Sequence, residues 1–158
     1  VGLLAAARHP LTRCVVSYDA WLVNPFRYYW DRMRRGPNNW LSWAAYCNQP
    51  VDEQLSGLMR RSIVHHAERL HSPLLLFIGG AYRGSVFHQS HADLIRQLEA
   101  HEIPYTYDVV EGGGHNFVLY TSSKEARYAY GRHMEFLRKH WPPCPTPGEG
   151  NDAAPHAP

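Results

Sequence analysis

The apolar residues of this chain gather in short runs that have the length of β-strands. Residues 74–78 form a continuous apolar run, which suits a central parallel strand that is covered on both faces. Residues 13–18 are short and β-branched, and residues 105–110 combine tyrosine, threonine and valine, so both segments predict further strands. Gly79 and Gly80 end the central run. Three strands are therefore expected.

The segments between these runs show the spacing of amphipathic helices. Four segments are expected to be helical, wholly or in part: residues 3–8, 51–70, 90–101 and 124–141. In the third, the residues that share one apolar face are Leu94, Ile95 and Leu98. In the last, we expect three side chains to point inward: Tyr128, Phe136 and Leu137. Pro104 stops the third helix, since proline cannot continue it.

The order of these elements predicts the fold class. Helices alternate with strands, which is typical of an α/β fold with a doubly wound parallel sheet. Three parallel strands leave two open edges and make a poor free-standing sheet. The sequence therefore predicts half of a domain over residues 1–141, completed by an N-terminal segment or a partner chain. Residues 142–158 are rich in proline and small residues, and we expect them to be disordered.

Residues 19–50 interrupt this alternation with a segment that is dense in tryptophan, tyrosine and phenylalanine. Pro25 and the pair Gly36-Pro37 break it, so one continuous helix is not expected. The segment is too aromatic for a disordered loop. It predicts a set of short helices that pack over a neighbouring surface as a pocket wall or a lid.

Composition and charge narrow the class of protein further. The chain has 158 residues, of which 44% are hydrophobic and 19% charged, as in an ordinary globular domain. A net charge of +2 is too small to indicate binding to nucleic acid or to an anionic membrane. No apolar stretch reaches the roughly 20 residues that span a bilayer. The three widely spaced cysteines favour a reducing compartment, so we expect a cytoplasmic protein.

Three stretches of the chain carry a resemblance to a known family. They are residues 62–76, which lead into the central strand, residues 89–104, and the turn Glu-Gly-Gly-Gly-His-Asn-Phe at residues 111–117. In this order and spacing they resemble the C-terminal half of the catalytic domain of the prolyl oligopeptidase family, an α/β-hydrolase branch. The resemblance runs over residues 1–141. It implies acyl hydrolysis or acyl transfer at a peptide, amide or ester bond, without a cofactor.

The resemblance also implies roles for two positions. His115 is similar to the histidine that acts as general base in this family, and the glycines before it allow a sharp turn. The start of the chain, Val1-Gly2, is similar to the end of the G-x-S-x-G elbow that carries the nucleophilic serine. The serine is then expected immediately upstream of Val1, whose backbone N–H contributes to the oxyanion hole. The chain is accordingly expected to be a fragment, a processed product or half of a larger unit.

One departure from the family concerns the third catalytic group. The family places an aspartate just after the seventh strand, in an H-G-x-x-D pattern, where this chain has Ile78-Gly79-Gly80-Ala81-Tyr82. A tyrosine is neutral near pH 7 and cannot hold an imidazolium as a carboxylate does. Asp19, which follows the first strand, is the candidate to serve instead, with Glu111 as a second candidate. The alternative roles for Asp19 are those of a loop residue or of a contact to a substrate amine.

Other residues are candidates for substrate contacts or for a metal site. In the family the aromatic segment lines the acyl pocket, and the residues expected to form its wall are Tyr18, Trp21, Tyr28, Tyr29 and Tyr82. Core packing is the alternative role for these side chains. The eleven histidines include His88 and His91 at helical spacing, but no H-E-x-x-H motif is present, so no metal site is expected.

Two functions stay open at this point. The first is a serine hydrolase or acyltransferase that acts on a small-molecule or peptide substrate, with the N-terminal half of the domain as partner. The second is a pseudohydrolase that binds a ligand or protein through the aromatic pocket without catalysis. The residue before Val1 discriminates between them, because a serine or cysteine favours the enzyme. The oligomeric state is not indicated by the sequence.

Overall fold

The computed structural model of the chain describes residues 2–21, 23–36 and 53–142. It contains a sheet of three parallel strands: β1 (Val15–Tyr18), β2 (Leu74–Gly79) and β3 (Tyr105–Val110). Their spatial order is β1-β2-β3, and the first residues of the three strands are aligned with one another. The carboxyl ends of all three strands therefore meet at one edge of the sheet.

Helices connect and cover these strands. The described part of the chain contains five α-helices: α1 (Gly2–Ala6), α2 (Pro25–Arg35), α3 (Gln54–Arg61), α4 (Val86–Ala100) and α5 (Lys124–His140). A 3-10 helix at Ile63–Arg69 follows α3. Serine side chains cap the two longest helices, because the Oγ atoms of Ser85 and Ser123 accept hydrogen bonds from backbone N–H groups of the first turn. None of the described helices is both long and apolar enough to cross a membrane.

Both faces of the central strand are buried. All six residues of β2 are buried, and alternate side chains point to opposite faces. On one face, Leu74 and Leu76 pack with Leu94 and Leu98 of α4 and with α1. On the other face, Leu75 and Phe77 pack with Ala129 of α5. Helices on both faces confirm the predicted doubly wound α/β architecture.

The inward face of α5 differs from the prediction. Tyr128 was expected to point inward, but it is 50% exposed, and the buried residues of the helix are Ala126 and Ala129. Small alanine side chains let the helix backbone approach the sheet closely, which leaves no room for a tyrosine at that level. Phe136 does pack against the core, and Leu137 is half-buried, as expected.

Two boundaries also differ from the sequence expectation. Strand β1 begins at Val15 rather than at residue 13. Helix α4 begins at Val86 rather than at residue 90, because the Ser85 cap starts it one turn earlier. Val1, residues 37–52 and residues 143–158 lie outside the described residues, so the predictions for the oxyanion-hole position, for much of the aromatic segment and for the tail lie outside them as well.

Candidate active site

The carboxyl ends of the three strands bring together three short segments. Asp19 directly follows β1, Gly80–Tyr82 directly follows β2, and the turn that contains His115 follows β3. In α/β sheets this edge is where ligands bind, because the loops that leave the strands converge there. The parallel pairing therefore places residues 97 positions apart, Asp19 and Asn116, in direct contact.

Asp19 holds a buried carboxylate at this edge. Its side chain accepts hydrogen bonds from two backbone N–H groups, from Gly79 to Oδ1 at 2.9 Å and from Asn116 to Oδ2 at 3.2 Å. The residue is 5% exposed and adopts a left-handed backbone conformation with φ of 42°. Burial raises the pKa of Asp19, while the two N–H donors and the nearby His115 partly oppose that rise. Two such donors fix the direction of the carboxylate.

The glycine-rich turn packs tightly against the end of β2. A side-chain carbon added at Gly79 would lie 2.8 Å from the carbonyl carbon of Gly113, and one at Gly113 would lie 3.2 Å from Cα of Gly79. The backbone N–H of Ala81 donates to the carbonyl oxygen of Gly113 at 3.1 Å. Only glycine at these two positions allows the approach. The contact sets the height of the following residues, including His115, above the sheet.

His115 projects from this turn and is exposed. Its ring lies edge-on to two aromatic rings, with centroids 5.7 Å from that of Trp21 and 6.4 Å from that of Tyr82. Asp19 interacts with His115 through charge. Among the residues that the structure describes, no side chain forms a hydrogen bond with the His115 ring. The backbone of its neighbour Asn116 provides the direct link to the carboxylate.

Aromatic side chains form one wall beside His115. Trp21 stacks on Tyr28 with ring centroids 5.8 Å apart, and Tyr82 packs on Phe87 at 4.6 Å. Tyr28 and Phe87 are buried together with Ile78 of β2, whereas Trp21 is 53% exposed. Of the predicted wall residues, Trp21 and Tyr82 therefore lie against His115, and Tyr28 lies behind Trp21. The sequence pattern did not indicate Phe87, which is the second residue of α4 and becomes evident only once the helix is known to begin at residue 86.

The other two predicted wall residues have different neighbours. Tyr18 stacks on Phe77 at 5.0 Å, and its hydroxyl is hydrogen-bonded to Nδ1 of His133 at 2.7 Å, on the α5 face of the sheet. Burial raises the pKa of Tyr18 to about 12. Tyr29 packs edge-on against Trp30, with centroids 5.2 Å apart. Tyr18 therefore has the core-packing role that the sequence left open, whereas Tyr29 is half-buried beside the exposed Trp30.

Two further candidates have other partners. Glu111 is exposed and forms an ion pair with Arg83, so its carboxylate is engaged away from His115. His91 is buried, and its Nδ1 is hydrogen-bonded to the carbonyl oxygen of Phe87 at 3.1 Å. Within residues 2–21, 23–36 and 53–142, no group of three histidine, cysteine or carboxylate side chains is arranged to hold a metal ion.

Known proteins resemble the chain in fold rather than in sequence. The chain matches no protein-family model and no curated protein. It is similar to the crystal structure of EstE5–PMSF, an esterase of the α/β-hydrolase fold, with a TM-score of 0.61 and 18% sequence identity. The similarity covers 89% of this chain and 49% of EstE5, so the chain spans about half the length of that structure. This chain therefore has the architecture of part of an α/β-hydrolase domain.

Proposed function

We propose that this chain is the C-terminal half of a serine-hydrolase-type catalytic domain that cleaves or transfers an acyl group at an ester, amide or peptide bond. His115 is the general base, Asp19 is the acid that orients and stabilises it, and the nucleophilic serine lies just upstream of Val1. The esterase fold of EstE5 supports this class of chemistry. The finer assignment to the prolyl oligopeptidase branch rests on the sequence resemblance alone.

The observation that carries the proposal is the setting of the Asp19 carboxylate. A buried carboxylate that accepts two backbone N–H bonds is costly for a fold to keep without a use, because burial disfavours its charged form. Here it lies beside a histidine on the neighbouring loop. A catalytic acid orients the imidazole and stabilises the imidazolium by accepting a hydrogen bond from the ring, so its carboxylate has to lie beside the histidine. The position of the acid along the sequence is free to vary.

The proposed reaction follows the usual order of acyl transfer. The imidazole of His115 removes the proton from the serine hydroxyl as the serine oxygen bonds to the acyl carbon. The proton then passes to the leaving oxygen or nitrogen, whose bond to the acyl carbon breaks. Water, an alcohol or an amine next attacks the acyl-serine, and His115 takes its proton. The bond between the serine oxygen and the acyl carbon breaks, the product leaves, and His115 returns the proton to the serine. Asp19 remains ionised throughout and stabilises the positive ring.

Asp19 and His115 interact through charge without a direct hydrogen bond among the described residues, and this fits a site that tightens on binding. Catalytic hydrogen bonds are often long or poorly aligned without substrate and shorten in the substrate complex. The His115 ring is exposed and lies edge-on to Trp21 and to Tyr82, and the proposed role requires the ring to turn toward Asp19 when substrate binds. The same aromatic rings would bound an apolar acyl group.

The partner that completes the domain is proposed to be its N-terminal half, on the same chain or on a separate one. Two facts support this. The outer edge of β1 pairs with no strand in the described part of the chain, and an open strand edge favours pairing. The similar esterase is about twice as long as the part that this chain matches. A strand that pairs with β1 would end beside Asp19, where the serine is needed.

A non-catalytic pseudohydrolase is the alternative, and one observation favours it. Tyr82 lies where the family has its aspartate, and no carboxylate among the described residues is hydrogen-bonded to His115. A protein that had lost its catalytic aspartate would show this arrangement around His115. It would keep the aromatic wall of Trp21, Tyr28 and Tyr82 for a ligand.

Labelling with a fluorophosphonate probe distinguishes the two functions. We expect the intact protein that contains this chain to be labelled at the residue before Val1, and the His115→Ala variant to lose labelling. His101→Ala is the matched control, because His101 is exposed and lies just after α4, outside the site. An alanine or glycine before Val1, or equal labelling of the native and His115→Ala proteins, contradicts the proposed enzyme.

A further inference from the structure

A cavity of about 360 Å³ lies between α2, α4 and the 3-10 helix, and none of its lining residues belongs to the site around His115. Its volume is at the lower end of the range of small-molecule pockets. The polar and charged residues of its wall are Asn24, Arg27, His65, Asp93, Arg96 and Gln97. These side chains come from three separate elements, so the cavity depends on the folded packing of all three.

The cavity carries an excess of positive charge. Arg27 and Arg96 both form ion pairs with the carboxylate of Asp93, so two guanidinium groups share one carboxylate. Burial would raise the pKa of Asp93, but hydrogen bonds from Arg27 and Asn24 and the charges of both arginines hold it below its usual range. The carboxylate is therefore ionised at neutral pH, and the three groups together carry one net positive charge.

Both arginines keep access to the cavity. The side chain of Arg27 is 38% exposed and that of Arg96 is 62% exposed, while Asp93 is buried beneath them. Each guanidinium has five N–H donors in a planar fork, and one carboxylate cannot accept all of them. The spare donors suit a second anion, because the fork matches a carboxylate or phosphate group.

Asn24 contributes a hydrogen-bond acceptor that has no donor partner among the described residues. Its Nδ2 donates to Oδ2 of Asp93 at 2.7 Å, and this fixes the orientation of the amide because a carboxylate oxygen cannot donate. The other amide atom, Oδ1, is buried and has no hydrogen-bond partner within the described residues. Buried acceptors are normally satisfied. Oδ1 is closed to solvent here, so an O–H or N–H group on a ligand in the cavity would supply the bond once the neighbouring side chains shift to expose it.

The rest of the wall is apolar or aromatic. Phe26 and His65 pack with ring centroids 5.0 Å apart, and Val64 and Trp30 complete this side of the cavity. Trp30 is 60% exposed, which leaves its ring available to a bound molecule. Aromatic walls of this kind favour a flat apolar body.

We propose that this cavity binds a small aromatic or apolar molecule that carries one carboxylate or phosphate group and one hydrogen-bond donor. The anionic group pairs with Arg27 and Arg96, the donor bonds to Oδ1 of Asn24, and the apolar body packs against Phe26 and Trp30. The site is separate from the proposed catalytic centre and does not depend on hydrolytic activity.

Isothermal titration of the intact protein tests the binding mode with four defined probes. They are 4-hydroxybenzoate, 4-hydroxyphenyl phosphate, the neutral 4-hydroxybenzyl alcohol and inorganic phosphate. We expect the two aromatic anions to bind at least 10-fold more tightly than the other two, and the tighter of them identifies the preferred anion. Equal affinity for the neutral alcohol would contradict the proposed pairing of the anion with Arg27 and Arg96. Equal affinity for inorganic phosphate would remove the role of the apolar wall.

Two variants locate the binding. Arg96→Gln leaves Asp93 paired with Arg27, so the fold is retained, and we expect at least a 10-fold loss of affinity for the aromatic anions. Trp30→Ala should weaken the binding of the same probes without changing the midpoint temperature of thermal unfolding. Arg138→Gln is the control, because Arg138 is an exposed residue of α5, on the opposite face of the sheet. Unchanged affinity in Arg96→Gln, or an equal loss in Arg138→Gln, would overturn the proposal.

Discussion

The backbone N–H of Asn116 donates a hydrogen bond to Oδ2 of Asp19, across the carboxyl edge of the sheet and 97 residues along the chain. The neighbour of Asn116 is His115, so the carboxylate is tied to the peptide that carries the histidine. The link through the main chain holds the two side chains in one site even though their own atoms are not bonded. This arrangement leads to predictions about activity and about stability that can be separated.

Replacing Asp19 by asparagine should reduce activity much more than stability. Asparagine is neutral and cannot stabilise the imidazolium, so we expect the rate of acyl transfer to fall by roughly 10²- to 10⁴-fold. Asparagine tolerates the left-handed conformation of this position. Steady-state kinetics on an activated ester, with the free energy of unfolding from denaturant titration, measure the two effects. A loss of activity that matches a loss of folded protein would contradict a catalytic role.

The pH dependence of the same variant has a defined sign. Burial raises the pKa of Asp19, so the protonated carboxyl group contributes stability below its unfolded pKa, and that contribution is lost as the pH rises through the folded pKa. The ionised group therefore lowers the free energy of unfolding at neutral pH, and asparagine removes this cost. The amide nitrogen of asparagine, however, would face one of the two backbone N–H groups, and two donors that face each other are unfavourable. We expect the two proteins to differ by only about 1 kcal/mol at pH 7. The wild type should gain relative to Asp19→Asn as the pH falls toward 4.

Gly79→Ala should damage both the fold and the site. The added carbon would overlap the carbonyl group of Gly113, and the atoms it meets are backbone atoms that cannot rotate away. We expect a loss of roughly 2 kcal/mol in the free energy of unfolding, which is in the range of overpacked cores, together with a loss of activity as the turn is displaced. The matched control is Gly131→Ala in α5, where the added carbon meets no atom within 4 Å. That variant should be slightly more stable than the wild type, because alanine favours helix.

Tyr82→Phe tests whether the phenol serves in place of the aspartate that the prolyl oligopeptidase family, which the sequence resembles, has at this position. Burial raises the pKa of Tyr82, and the charge of Asp19 adds to that rise, so the hydroxyl is neutral at pH 7. We expect the rate of acyl transfer by Tyr82→Phe to stay within about twofold of the wild type, because the ring that packs on Phe87 is kept. Tyr82→Ala, which removes that ring, should raise KM for apolar substrates. A large loss of kcat in Tyr82→Phe would show that the hydroxyl itself takes part.

Asp93→Asn should destabilise the packing of α2 on α4 in a pH-dependent way. The pKa of Asp93 is lowered, so its carboxylate contributes stability above the unfolded pKa of about 4, and that contribution is lost as the pH falls through the folded value. We expect a loss of roughly 2 kcal/mol at pH 7, since both arginine partners are partly exposed to solvent. Chemical denaturation at several pH values should show the difference between the proteins shrinking below pH 4. A difference in the free energy of unfolding that does not change with pH would contradict stabilisation by the ionised carboxylate of Asp93.

The strands illustrate what the sequence alone can predict. The apolar run at 74–78 identified β2 because a strand covered on both faces has no polar position, and every residue of Leu74–Gly79 is buried. Periodicity was less reliable for α5. Large residues suggested that Tyr128 points inward, but the small side chains Ala126 and Ala129 form the contact with the sheet. Hydrophobicity alone does not indicate how closely a helix must approach.

The contacts within the proposed site could be identified only from the folded structure. The sequence indicates His115 through its glycine turn and Asp19 through its place after a strand. The bonds from Gly79 and Asn116 to Asp19 join residues that are 60 and 97 positions apart, and no local pattern contains them. The same holds for Phe87, whose packing against Tyr82 depends on where α4 begins. Contacts of this kind arise from the parallel register of the sheet.

The most direct test of the proposed site is a double-mutant cycle on Asp19 and His115, read as the rate of reaction with a fluorophosphonate ester. If Asp19 acts only through His115, each single variant should react far more slowly than the wild type, and the Asp19→Asn, His115→Ala double variant should react no more slowly than His115→Ala alone. Losses that add in the double variant, or an Asp19→Asn protein that reacts at the native rate, would contradict a catalytic pair.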